Sequence, residues 1–90
     1  MKLFAALLPM KDQELSQKHR PAHLEFLQKH HKEGNIAAYG RFEDGAGGLV
    51  IYRTETYEQA EELVKQDPFV MEGARDYDIH EWNMVSDNWS

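Results

Sequence analysis

Hydrophobic and polar positions divide this chain into six elements. Lys2 to Leu8 is continuously apolar after Lys2. In a period-2 strand that makes both faces greasy, as when a sheet is covered on both sides. Pro9 ends the strand. Met10 to His19 is polar and weakly periodic, with Asp12 or Ser16 as candidate helix caps. Pro21 either kinks a helix already under way or takes the first position of a new one. From Ala22 to Glu33 the pattern is clear: His23, Phe26, Leu27 and His30 follow one face of a 3.6-residue period, and Gly34-Asn35 is a C-terminal stop. His23 is thereby predicted to point inward.

Ile36 to Phe42 and Gly48 to Arg53 read as strands joined by Glu43-Asp44-Gly45-Ala46-Gly47, a glycine-bearing hairpin. The glycines lack the spacing and the strand-to-helix setting of a phosphate loop. Thr56, with Gln59 three residues on, forms a capping box for a second helix running to Gln66. Ala60, Leu63 and Val64 share one of its faces, and one further step lands on Asp67, which Pro68 biases out of helical geometry. Phe69 to Met71 reads as an apolar connector, Gly73 as a turn, and Arg75 to Val85 as a last strand. In that strand Tyr77 and Ile79 share one parity, Trp82 and Met84 the other.

The order strand, helix, strand, strand, helix, strand predicts one α+β domain over residues 1–90, a ferredoxin-like βαββαβ fold. Its four-stranded antiparallel sheet has the first and third strands adjacent in the middle and both helices on one face. The first and last strands are apolar on both faces, so the open face predicts a second copy packed sheet to sheet, an isologous homodimer. A chain this short buries only about 60% of its unfolded surface, which also favours a partner subunit.

Composition narrows the function. A formal net charge of −6 with no basic cluster disfavours nucleic acid and anionic membranes as partners. The absence of cysteine removes thiol nucleophiles, thiolate metal sites and the small disulfide scaffold. The start, Met1 to Pro9, has too short an apolar run and no small-residue cleavage site for a signal peptide, and no run approaches a membrane span. A cytoplasmic protein is expected. Asn88-Trp89-Ser90 fits a glycosylation triplet and is read as chance.

The candidate chemistry follows from topology. When the first and third strands run antiparallel, so do the helices after them, and the start of one lies near the end of the other. His23 and Asp67 then fall at the same end of the layer between helices and sheet. A carboxylate at a helix C-terminus needs a donor, and an imidazole supplies one. His23 is cast as general acid or base and Asp67 as its orienter; a buried bond that merely locks the helices is the competing reading. Arg20 and Arg41 are candidates for holding a carboxylate or phenolate beside His23. Tyr39 and Gly40 would line the pocket, with Gly40 allowing close approach, and Phe69 would contribute as a lining residue with a mainly core role. His19 and His23 have the i, i+4 spacing of a metal pair but no HExxH pattern. His30-His31 reads as a helix-end device and Glu58 to Glu62 as a solvated face. No metal and no cofactor are expected.

The chain resembles the YciI-like family (YCII-related domain). The resemblance is carried by Arg20-Pro21-Ala22-His23-Leu24, Glu33-Gly34, Gly40, Asp44-Gly45-Ala46-Gly47-Gly48-Leu49, Asp67-Pro68-Phe69 and Gly73, and spans Lys2 to about Trp82. It implies a dimeric α+β barrel and a His-Asp pair as active site, here His23 and Asp67. Relatives are similar to dehydrochlorinases of halogenated hydroxyquinols and, more distantly, to muconolactone isomerases. The resemblance thus implies a cofactor-independent proton-transfer enzyme for a small molecule, with a binding or sensing dimer as the alternative. Where many members carry proline after the second-strand glycine, this chain has Arg41, which adds a cation near the pocket and leaves the substrate open.

Overall fold

The computed structural model describes residues 1–87, so the Asn88-Trp89-Ser90 triplet lies outside the described residues. Its elements are β1 (Lys2–Pro9), α1 (Gln13–Lys32), β2 (Ile36–Arg41), β3 (Gly47–Thr54), α2 (Tyr57–Gln66), α3 (Pro68–Met71) and β4 (Asp78–Glu81). The strands form one antiparallel sheet in the order β2-β3-β1-β4. This is the ferredoxin-like α+β fold, with the helices on one face. Phe4, Ala6 and Leu8 of β1 and Val50 and Tyr52 of β3 pack under them with Leu27, Ala60 and Val64.

Local chemistry fixes each helix. The Asp12 side chain accepts from Leu15 N–H at 3.0 Å, so Asp12 is the cap of α1. Ser16, the other candidate, is instead buried inside the helix. The helix passes through Pro21 without a break. Pro21 and Gln17, whose carbonyl loses its usual donor, both lie on the exposed side where water replaces the missing bond. At the other end Gly34 takes φ 87°, Asn35 N–H bonds His30 C=O and Gly34 N–H bonds His31 C=O, a Schellman closure. Thr56 and Gln59 make the reciprocal capping box of α2.

Two elements differ from the sequence expectation. The connector after Asp67 is a short helix, because Asp67 caps it through a bond from Phe69 N–H and Pro68 occupies its first turn. The last strand spans only Asp78–Glu81 rather than Arg75 to Val85. Its register sets Leu7 against Asp78 and Phe4 against Glu81. Beyond Asp78 it would meet Pro9, which has no N–H, and Leu8 C=O, which accepts from Arg75 Nη1 at 3.3 Å. Beyond the Trp82 N–H bond to Leu3 C=O, β1 itself runs out.

The β2-β3 connection is the expected glycine turn. Gly47, at φ 140°, lies so close to the Leu8 carbonyl and the Pro9 Cα that any side chain there would collide with backbone.

Tyr52 lies 1% exposed in the core. Burial first, and the nearby Asp67 charge second, push its phenol far above the ordinary value of 10.0. The unfolded chain therefore releases this proton from about pH 10 upward while the folded chain holds it, so stability present below pH 10 is lost as pH rises. Urea midpoints measured between about pH 9 and 11 will fall in the parent and fall less in Tyr52→Phe. At neutral pH the variant will stay within about 1 kcal/mol of the parent, since the hydroxyl bonds no other described residue.

Candidate functional site

The antiparallel pairing of β1 and β3 brings the middle of α1 against the turn between α2 and α3. His23 projects from α1 onto that turn and its Nδ1 lies 2.7 Å from Asp67 Oδ1. Asp67 has no exposed surface and His23 is 8% exposed. Asp67 Oδ1 also accepts from Phe69 N–H at 2.9 Å. An ionised carboxylate can only accept, so beside it Nδ1 carries the hydrogen, and in the neutral ring the lone pair is then on Nε2. Nε2 has no hydrogen-bond partner among the described residues. The Phe69 ring stacks on the imidazole at 3.7 Å between centroids, with 12° between planes, and holds its orientation. Asp67 Oδ2 is buried and likewise without a partner among the described residues.

The imidazole forms part of the wall of a hollow of about 240 Å³ between α1 and the sheet. An apolar cavity of about 150 Å³ holds a benzene-sized guest, so this one suits a single-ring molecule. All the residues anticipated for the pocket border it except Asp67, which sits behind His23. Arg20 and Arg41 are exposed at its rim and Tyr39 is half-buried on its wall. The side of Gly40 that would carry a side chain faces away from the helices and meets nothing within 4 Å. Gly48 is the tight glycine, since a Cβ there would stand 3.1 Å from Gly40 O. Leaving out that side chain keeps the floor of the hollow open. Phe69, 3% exposed, is both core and wall.

Arg75 was not foreseen. Its Nε donates to Ser16 Oγ at 3.1 Å, its Nη1 donates to Leu8 C=O, and its guanidinium lies 4.4 Å from the Phe69 ring centroid. Burial lowers its pKa from the ordinary arginine value, Asp67 opposes that shift and the Arg20 charge adds to it. Ser16 lies 59 residues from Arg75, so no local pattern announces the contact.

The other histidines are engaged separately. His19 Nε2 faces Glu72 at 4.0 Å and His30 Nδ1 meets Asn35 Nδ2 at 3.0 Å. Among the described residues no three His, Cys, Asp or Glu side chains gather as a metal site. No helix among them is long and apolar enough to cross a membrane.

"Uncharacterized protein YjpA" of Bacillus subtilis (strain 168) is 31% identical over 78 residues, 87% of this chain and 92% of that one. Among solved structures, 5-chloro-2-hydroxyhydroquinone dehydrochlorinase (TftG) from Burkholderia phenoliruptrix AC1100, in complex with 2,5-dihydroxybenzoquinone, aligns with a TM-score of 0.77. It covers 92% of this chain and 95% of its own at 20% identity, a likeness of fold. The profile of the YCII-related domain matches residues 2–83, nearly the whole length. The chain belongs to the YCII-related domain family.

Proposed function

We propose that the protein is a cofactor-independent enzyme of the lyase (dehydrochlorinase) or isomerase type, acting on a small aromatic or lactone-like molecule. The observation that carries this reading is the 2.7 Å bond between His23 and Asp67, made by a ring that borders a hollow of single-ring size. Asp67 fixes the tautomer and leaves Nε2 as the basic nitrogen. In the proposed reaction Nε2 takes a proton from a substrate carbon or hydroxyl, and Asp67 stabilises the imidazolium that forms. In an elimination, chloride then leaves with the electron pair of its carbon bond; in an isomerisation the same proton returns at another atom. Arg20, Arg41, Tyr39, Gly40 and Phe69 would hold the substrate. The fold neighbour, a dehydrochlorinase solved with 2,5-dihydroxybenzoquinone bound, supports the choice of substrate class.

The complete burial of Asp67 also fits a second reading, a binding or sensing module in which the pair locks α1 to the α2-α3 turn beneath a pocket that performs no turnover.

In either reading the protein acts as a homodimer joined through its sheets. The helices cover one face, and the other carries Leu3, Ala5, Leu7, Leu49 and Ile51 in the middle strands. Phe42 and Trp82, 37% and 38% exposed, border an apolar hollow on that face with Ala38. A second copy would cover this surface isologously.

Two experiments test these statements. Chloride release from 5-chloro-2-hydroxyhydroquinone and isomerisation of lactones are measured in the parent, His23→Ala and Asp67→Asn. His23→Ala will lower turnover by about 10²- to 10⁴-fold, Asp67→Asn will lower it in the same direction, and both will still bind 2,5-dihydroxybenzoquinone. Variants that lose melting temperature while turnover and affinity stand unchanged would reject the catalytic role. For the dimer, light scattering at micromolar concentration will give the mass of two 10.5 kDa chains. Leu7→Glu, which sets a charge in the open face, will give one; a monomeric parent would refute the interface.

A further inference from the structure

The chain holds four arginines and six lysines, and the distribution between them is uneven. Three of the arginines, Arg20, Arg41 and Arg75, border the hollow beside His23; none of the lysines does, and neither does any aspartate or glutamate. The chain as a whole carries 16 acidic residues against 10 basic ones, so partners for these cations are not scarce. Yet every ion pair among the described residues is made by lysine or histidine, and none by arginine. Asp67, the acid nearest the hollow, is taken up by His23 and Phe69 N–H.

Arg75 is the most constrained of the three. It is half-buried, and its bonds to Ser16 Oγ and Leu8 C=O use two of its five N–H donors. The remaining three have no acceptor among the described residues. Burial of this cation is offset only in part by the Asp67 charge, which makes no direct ion pair with it, and the Arg20 charge adds to the cost. A bound anion would relieve both. The choice of guanidinium throughout matters too, because its rigid planar fork matches a planar pair of oxygens, whereas an ammonium acts as a point charge.

We infer that the hollow recognises a planar oxyanion, a carboxylate or an ionised hydroxyl on an unsaturated ring, with Arg75 as its fixed anchor and Arg20 and Arg41 closing on it from the rim. The inference rests on the reading of this hollow as the substrate site and names the charge of what enters it. Arg75 is a binding residue here; Nε2 of His23 remains the proton-transfer group. With the anionic end held at Arg75, the rest of the ring is left to face the imidazole.

Two matched pairs of probes test this by calorimetric titration. Benzoate is compared with benzamide, and 2,5-dihydroxybenzoquinone, whose hydroxyls are vinylogous acids ionised at neutral pH, with 2,5-dimethoxybenzoquinone. The parent will bind the anion of at least one pair about tenfold more tightly than its neutral partner. A preference in the first pair assigns a carboxylate, one in the second an ionised hydroxyl. Arg75→Gln will bring the ratio close to one, and Arg75→Lys will restore part of it. A structural role alone would weaken anion and neutral probe equally, and that result overturns the inference. If Arg75→Gln does not fold, the exposed Arg20→Gln/Arg41→Gln double variant and the salt dependence of the parent decide. Anion affinity will fall in both while neutral affinity stays level; no difference between the pairs, or no anion binding at millimolar concentration, overturns the inference. His23→Ala will keep the anion preference. Preference without turnover would therefore remove the proton-transfer reading alone, and turnover without preference would remove this one alone.

Discussion

A carboxylate with no exposed surface sets the terms for this structure. Asp67 ends α2, caps α3 and receives His23 from α1, so a single side chain joins three elements. Burying an ionised carboxylate is strongly unfavourable unless donors replace its water. The Phe69 N–H and the imidazole Nδ1–H are those donors, and both converge on Oδ1. Local chain chemistry fixes the first, through Pro68 at the start of a short helix; only the correct packing of α1 provides the second. The position of His23 is therefore tied to the fold itself, which is the rigidity that the proposed proton transfer requires.

The same arrangement accounts for how much could be read in advance. His23 was legible because a helix repeats every 3.6 residues and its inward neighbours Phe26, Leu27 and His30 are spaced accordingly. Asp67 was legible because proline marks the residue before it, and its meeting with His23 follows from strand direction alone. Gly34 announced its cap through its freedom to take a positive φ, and Thr56 and Gln59 announced theirs through side chains that bond backbone within four residues. Each of these signals is local, or is a consequence of topology that local signals establish.

Arg75 shows where such reading ends. An arginine in sequence looks the same whether it is solvated or held against an aromatic ring, and this one is placed by contacts with Ser16 and Leu8 on distant elements. It also sat where a strand was expected to begin. The strand is interrupted where Pro9 offers no donor opposite Asp76. Arg75, held beyond the gap by an isolated bridge to Met10 and a bond from its N–H to Phe69 C=O, sets its guanidinium over the Phe69 ring. Pro21 is the converse case: its sequence position allowed two local structures, and solvent exposure of that helix face, a tertiary property, selected the continuous helix.

The charge distribution brings these threads together. A chain of net charge −6 presents a repulsive field to an approaching anion, yet at physiological ionic strength charges are screened beyond about 8 Å. Within that distance of His23 stand the Asp67 carboxylate, which is bonded to the imidazole behind the wall, and the three arginines that border the hollow itself. The wall is also poor in side chains on one side, where Gly48 and the Gly40 backbone form the floor, so a ring can lie close to the sheet while the guanidinium groups reach its edge. Low-dielectric surroundings strengthen these contacts relative to any made in open water. On the proposed reading, an acidic surface and a basic hollow separate two tasks: the net charge disfavours self-association, and the hollow's own groups select the molecule held beside the imidazole.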